Sequence, residues 1–243
     1  MIDPRRLGEY DSDLSDEDAG DILCIFHPAS LSAIQVAANI TEAAPEHTVS
    51  RAEMPLRIKG LDAGQELISP DTMVLAEQGL VTRDLALRLS AKLKDPLAGF
   101  VFGRNVERCD FVLTHAGKDG AKRISNIHFR VWVTENGVIM LEDQSTNGTV
   151  VEGKLLRSKS KEPGSTAKHT LTHGTLIKIH MISGQNDDIQ FVVRIPKREE
   201  AADELWTKNM HKYFERLDNA RARRTLERAR AAQHGNANGG AVS

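Results

Sequence analysis

Residues 128–133, His-Phe-Arg-Val-Trp-Val, set Phe129, Val131 and Val133 against Arg130 and Trp132. An alternation of period two marks a strand with one buried face. Asn136-Gly137 follows, a two-residue hairpin signal because both positions must tolerate positive φ. Residues 138–141 resume the strand. Around this pair, the stretch 72–195 holds further short apolar runs at 73–76, 80–82, 99–102, 111–113, 176–179 and 189–195, separated by Gly, Asn and Asp. The last two are enriched in β-branched residues. Many short strands with turn signals between them predict an all-β sandwich or barrel. One stretch inside it is spaced differently. Leu85, Leu89 and Leu93 fall four apart, which predicts a short helix over 85–93 inserted between the early strands.

The flanks have other patterns. Residues 1–20 carry Asp11, Asp13, Asp16, Glu17 and Asp18 among serines and glycines. Such a segment buries too little apolar surface to offset its ordering entropy, so a disordered acidic tail is expected. In the extension 21–71, the run 22–26 fits a strand, and Leu31, Ile34, Val36 and Ile40 have helical spacing. The rest, through Pro45 and Pro55, reads as loop, and the pattern assigns the extension no fold. Pro196 closes the β region. Residues 199–233 predict a helix with a rough stripe of Leu205, Met210, Phe214 and Leu217, followed by Arg221, Arg223, Arg224, Arg228 and Arg230. The Gly- and Ala-rich end, 235–243, reads as flexible. The expected organisation is a mainly β domain at 72–195, with a helical linker and tail at 196–243.

Composition narrows the function classes. Hydrophobic residues are 40% and charged residues 27%, ordinary for a soluble globular chain. A formal net charge of -2 gives no whole-chain electrostatic case for nucleic acid or membrane. The two cysteines, Cys24 and Cys109, offer neither a disulfide framework nor metal-ligand spacing, which suits a reducing compartment. The N-terminus lacks a basic region leading into an apolar run, so no secretory signal is expected. No stretch approaches the roughly 18 apolar residues of a membrane helix. A nuclear or cytoplasmic location is expected, the nucleus favoured.

The candidate chemistry lies in three short motifs inside the β region. They are Gly103-Arg104, the run Arg123-Ile124-Ser125-Asn126-Ile127-His128, and Ser145-Thr146-Asn147-Gly148-Thr149. Each alone is weak, but all three fall at strand ends, where binding groups gather on a rigid scaffold. Together they supply guanidinium groups, hydroxyls and a carboxamide. Arginine makes forked, charge-assisted bonds to phosphate oxygens, and hydroxyls add donors. A carboxamide donates and accepts at once, which suits a peptide backbone. There is no paired carboxylate, no metal-ligand set and no nucleophile with an orienting partner.

These motifs, in this order, resemble the signature of the forkhead-associated (FHA) domain. The resemblance runs from about residue 71 to 195 and implies an FHA-type β-sandwich of eleven strands. In the present chain it would carry a short helical insertion, a disordered N-terminal tail and a C-terminal helix. It implies binding of phosphothreonine peptides through the loops, with no cofactor. By the same resemblance, Ser125 and Thr146 would contact the phosphate and Arg104 the phosphate or the peptide backbone beside it, while Asn147 and Asn126 would hold the peptide. Gly103, His128 and Gly148 would be structural. Arg123, on the same loop as Ser125, would favour Asp three residues after the phosphothreonine.

Within the family, the segment is most similar to the FHA domains of fungal DNA-damage checkpoint kinases. The likeness rests on residues 82–96 before Gly99-Phe100-Val101-Phe102-Gly103-Arg104-Asn105, and on Asp143-Gln144 before the third motif. The chain has no kinase motif. It therefore reads as the regulatory region of such a kinase or as a separate adaptor, and in neither case as an enzyme. His169, His173 and His180 lack a carboxylate or cysteine partner that would make a metal pattern. The arginine-rich helix could meet nucleic acid, but Glu215, Asp218 and Glu227 interleave with it and favour a salt-bridged solvated helix. Neither nucleic acid nor membrane is an expected partner.

Overall fold

The computed structural model describes residues 14–50, 83–114, 123–158, 167–179 and 188–237. Helix α1 spans Asp16–Asp21, strand β1 Ile22–Pro28, helix α2 Leu31–Ala43 and strand β2 Thr48–Ser50. Then come β3 Arg83–Arg88, β4 Phe100–Gly103, β5 Phe111–Val112, β6 Phe129–Val133, β7 Ile139–Asp143, β8 Thr149–Val151, β9 Lys154–Leu156, β10 Lys168–Thr170, β11 Leu176–Ile179 and β12 Ile189–Arg194. A long helix, α3, Glu200–Ala237, ends the described chain. The strands form two sheets, ordered β2-β3-β1-β12-β11-β8-β9 and β10-β7-β6-β4-β5.

The two sheets face each other across a phenylalanine stack. Phe26 of β1 lies 5.2 Å from Phe102 of β4, which lies 4.6 Å from Phe129 of β6 and 4.4 Å from Phe111 of β5. Phe191 of β12 packs on Phe26 at 5.8 Å. All five rings are fully buried. Offset aromatic pairs of this kind add about 0.5–1.5 kcal/mol beyond their area burial. β6 and β7 bury alternate residues, as the alternation of 129–133 predicts for β6. The expected sandwich, its strands near 100, 111, 129–133, 139–141, 176–179 and 189–194, and the C-terminal helix are all present.

Four expectations change. Residues 83–88 are a strand and 89–99 hold turns, so the helical insertion is absent. Asp84, Leu85, Ala86 and Leu87 are all buried, because β3 lies between β1 and β2 and is covered on both faces. The second concerns residues 16–21, which form α1 rather than part of a disordered tail. The Ser15 hydroxyl accepts the Asp18 N–H at 3.2 Å, and Asp16, Glu17 and Asp18 fill the first turn, where negative charge offsets the helix dipole.

The third change is in the extension. β1 is not separate from the sandwich: it pairs with β3 and β12, so the sheet crosses the boundary expected at residue 72. α2, capped by Ser30, buries Ala33, Ile34, Val36, Ala37 and Ile40 and packs across β3 and β12. Finally, β6 and β7 are joined by three residues, Glu135-Asn136-Gly137, not two. Thr134 donates to the Val138 carbonyl at 2.9 Å, and of the three only Gly137 has positive φ, +75°. That is the three-residue loop with a left-handed glycine. The two-residue turn is instead Glu152-Gly153, with φ of 50° and 74°, between β8 and β9. The strands expected at 73–76 and 80–82, His180 and residues 1–13 and 238–243 lie outside the described residues.

α3 docks by its first half. Ala202, Tyr213, Leu217 and Ala220 are buried, and Trp206, Met210 and Phe214 pack against the core. Arg198, just before it, donates to the carbonyls of Ala19 and Ile22 and stacks its guanidinium over Trp206. Arg216 donates to the carbonyls of Leu89 and Ser90, and Arg224 pairs with Asp95 at 3.2 Å. From 221 to 233 every side chain is exposed. Among the described residues, no helix is long and apolar enough to cross a membrane.

Candidate functional site

Gly103 ends β4 where the loop 123–128 crosses it. A Cβ at Gly103 would sit 2.4 Å from the Asn126 carbonyl oxygen and 2.9 Å from the Ile127 Cα, so no side chain fits. The close approach is stitched by backbone bonds. Arg104 donates to Ser125 at 3.0 Å, Asn105 to Asn126 at 3.2 Å and His128 to Phe102 at 2.7 Å. The consequence is that Arg104 lies beside Ser125 and Asn126.

His128 holds that loop from beneath. The ring is fully buried, and its Nδ1 accepts the Ser125 N–H at 3.2 Å. An accepting Nδ1 fixes the neutral ring with its proton on Nε2, which makes no hydrogen bond of its own. Burial pushes the pKa down to about 4, against the weaker opposing pull of Asp143 and the Gly148 backbone. The unfolded chain therefore takes up a proton near pH 6.5 and the folded chain only near pH 4. This group's stabilisation is complete above pH 6.5 and falls by about 3 kcal/mol as the pH drops to 4. Urea titrations at stepped pH check it: in His128→Gln the pH slope of stability in that window should be smaller by up to one proton.

The loop between β7 and β8 is built on Asp143, which is fully buried. Its Oδ1 accepts from the hydroxyls of Ser145 at 2.7 Å and Thr149 at 2.8 Å, and its Oδ2 from the Ser158 N–H at 3.1 Å. Ser145 Oγ in turn accepts the Gly148 N–H at 2.7 Å. Gly148 has φ +91°, and a Cβ there would meet the Leu156 carbonyl oxygen at 2.7 Å. The two loops are then joined. Thr146 N–H donates to Ser125 Oγ at 3.0 Å, Asn147 Nδ2 to the Arg123 carbonyl at 3.0 Å, and Gln144 N–H to the His128 carbonyl at 2.8 Å.

The sequence-predicted residues divide cleanly by exposure. Gly103, His128 and Gly148 are buried, whereas Arg104, Arg123, Asn126, Thr146 and Asn147 are exposed and Ser125 is half-buried. Arg104, Ser125, Asn126, Thr146 and Asn147 line one open cleft of about 500 Å³. Arg123 is not among the lining residues; its carbonyl accepts from Asn147, which is. Four further residues line the cleft, Arg108, Ile124, Ile127 and Gln144, of which Arg108 and Gln144 lie outside the three motifs. Ser145 and Asp143, which shape the second loop, stand within and just before the third motif but were assigned no role there. An acid closing an apolar strand two residues before a serine was the available signal.

Chemically the cleft is an anion site. Its lining has two guanidinium groups and no carboxylate, histidine or cysteine. Among the described residues the Arg104 guanidinium has no hydrogen-bond or ion-pair partner. Ser125 Oγ accepts from Thr146 and keeps its own hydrogen to donate. Asn147 spends one N–H on Arg123 and keeps the other, with its Oδ1. Cys109 is buried beneath the cleft, with Sγ 3.0 Å from the Asn126 carbonyl oxygen and its thiol pKa raised by burial. No cluster of His, Cys, Asp and Glu able to hold a metal occurs among the described residues.

Residues 100–180 match the family model of the FHA domain, and the chain carries an FHA domain there. Over 83 residues it is 36% identical to the serine/threonine-protein kinase RAD53 of Saccharomyces cerevisiae, a match spanning 33% of this chain and 9% of that kinase. Similar solved structures include the N-terminal FHA domain of S. cerevisiae Rad53p in complex with a phosphothreonine peptide. It is 29% identical, with 40% of this chain and 66% of that chain covered and a TM-score of 0.31. Another is the FHA domain of the CT664 protein from Chlamydia trachomatis, 16% identical, covering 46% of this chain and 83% of that one, with a TM-score of 0.30.

Proposed function

We propose that this chain binds phosphothreonine peptides in the cleft and forms the regulatory region of a checkpoint-type serine/threonine kinase acting in DNA-damage signalling, with the nucleus as its place of action. The observation that carries the binding reading is the cleft itself. It presents a guanidinium with no partner among the described residues, hydroxyl donors and carboxamides on loops braced from below by His128 and Asp143. A phosphothreonine brings roughly -1.5 to -2 charges and three acceptor oxygens, which Arg104, Ser125 and Thr146 would take up. Asn126 and Asn147 would hold the peptide main chain. Arg123, on the same loop as Ser125, would select Asp three residues after the phosphothreonine, by about 1 kcal/mol or less for an exposed pair. The likeness to a kinase over a small part of its length supports the regulatory role.

The test is a titration with a phosphothreonine peptide carrying that Asp, beside its unphosphorylated twin. The phosphopeptide should bind and the twin should not. Arg104→Ala should weaken binding by about 2–3 kcal/mol, roughly 30- to 150-fold, because a charge-assisted contact is lost. Equal binding of both peptides would overturn the phosphate reading.

A further inference from the structure

The cleft holds more positive charge on one flank than a single phosphate needs. Arg108 lies in the turn between β4 and β5, is exposed, and lines the cleft with Arg104. Its position is built, not accidental. Asn105 Oδ1 accepts the N–H groups of Glu107 and Arg108 at 2.9 and 3.1 Å, and the Asn105 carbonyl accepts those of Arg108 and Cys109 at 3.2 and 3.0 Å. This turn is tied to the loop below it by the Asn105 N–H and Cys109 Sγ, both on the Asn126 carbonyl. Among the described residues the Arg108 guanidinium has no hydrogen-bond or ion-pair partner. Glu107 is exposed beside it but does not line the cleft.

The turn bearing Arg108 and the backbone of Arg123 lie at opposite ends of the loop segment 123–126. At the Asn126 end of the loop the backbone meets the turn bearing Arg108. At the Arg123 end it meets Asn147. Ser125, the proposed phosphate contact, lies between. If Arg123 takes a side chain after the phosphothreonine, an extended peptide runs toward Arg108 with the residues before it.

We infer that Arg108 selects a second anionic side chain, carboxylate or phosphate, on the N-terminal side of the phosphothreonine. This rests on the phosphothreonine reading of the cleft. Arg108 is then a specificity residue, and the preferred partner is a peptide with negative charge on both sides of its phosphothreonine.

The experiment uses the full chain and a phosphothreonine base peptide with alanine at the three preceding positions. Asp or phosphoserine is then placed at each of those positions in turn. At one or two of them, Asp should improve binding about five-fold, the range of an exposed ion pair. Phosphoserine should improve it about tenfold or more through forked bonds. The Asp and phosphoserine arms identify which source is preferred. In Arg108→Gln both gains should disappear, so that the anionic peptides bind no better than the base peptide does to the same variant. Thermal melts should match, since the side chain is exposed. No gain from either anion, or the same gain in Arg108→Gln, overturns the inference and leaves the phosphothreonine site standing. A loss in Arg108→Gln equal for base and anionic peptides also overturns it, because Arg108 would then serve the phosphothreonine itself. Failure of the base peptide to bind at all overturns the reading of the cleft, and this inference with it.

Discussion

Replacing Asp84 with alanine is expected to destabilise the domain by about 3–5 kcal/mol, a large share of a small domain's whole stability. Asp84 is fully buried in β3, and it is bracketed by the neighbouring strands. His27 Nδ1 of β1 lies 3.0 Å from its carboxylate. Arg194 of β12 donates to its Oδ2 at 3.0 Å. His27 is 0% and Arg194 3% exposed. Truncating the aspartate takes the balancing charge away from a buried guanidinium, which is far more costly than replacing the whole group by apolar residues. Two comparisons isolate the cause. Asp84→Asn keeps an acceptor for one partner and should lose less. Asp84→Ala combined with Arg194→Met removes the guanidinium that Asp84 balances and should recover part of the loss. Equilibrium denaturation in urea reads all three. A loss below about 1 kcal/mol for Asp84→Ala would show that water or a shift of Arg194 compensates the site.

The same three residues show what the sequence pattern could and could not reveal. His27, Asp84 and Arg194 are far apart in the chain and fall in segments of three different local patterns. Only the strand order β3-β1-β12 brings them together. β1 is buried at all seven positions, so it has no alternation to mark it, and without its partners a short apolar run has no assigned place. β3 failed for the same reason more sharply. Burial on both faces of the strand erased the period of two, and Leu85, Leu89 and Leu93 then matched a helical period by coincidence. By contrast β6 has one face toward the core and one partly exposed, and its alternation was legible. So were the three motifs of the cleft, because each is local: a glycine at a close approach, a histidine three residues from the serine it braces, a glycine at positive φ. Arg108 was not, since its role depends on which loops the fold sets side by side.

Asp143 is where that local bracing has its largest expected effect on binding. Asp143→Ala would leave the Ser145 and Thr149 hydroxyls without their acceptor in a buried setting, and would free the N–H of the exposed Ser158. Orphaning one buried group costs about 1–3 kcal/mol, and the two hydroxyls share one carboxylate, so a total near 3 kcal/mol is expected rather than the full sum. The loss should also reach the cleft. Ser145 Oγ is aimed by Asp143 to accept the Gly148 N–H, and this closes the turn that carries Thr146 and Asn147. Freed from Asp143, the hydroxyl can rotate, the turn loosens, and the Thr146 contact to Ser125 Oγ weakens. Phosphopeptide affinity should then fall roughly tenfold or more in protein that is still folded, although Asp143 itself does not line the cleft. Measuring binding well below the melting temperature separates this from global unfolding. Ser145→Ala gives the sharper comparison: it breaks the same relay to Gly148 but leaves Thr149 and Ser158 paired, so it should lose less stability and a similar share of affinity. If Asp143→Ala bound as well as the parent while losing stability, the carboxylate would hold the sandwich together without positioning the loop.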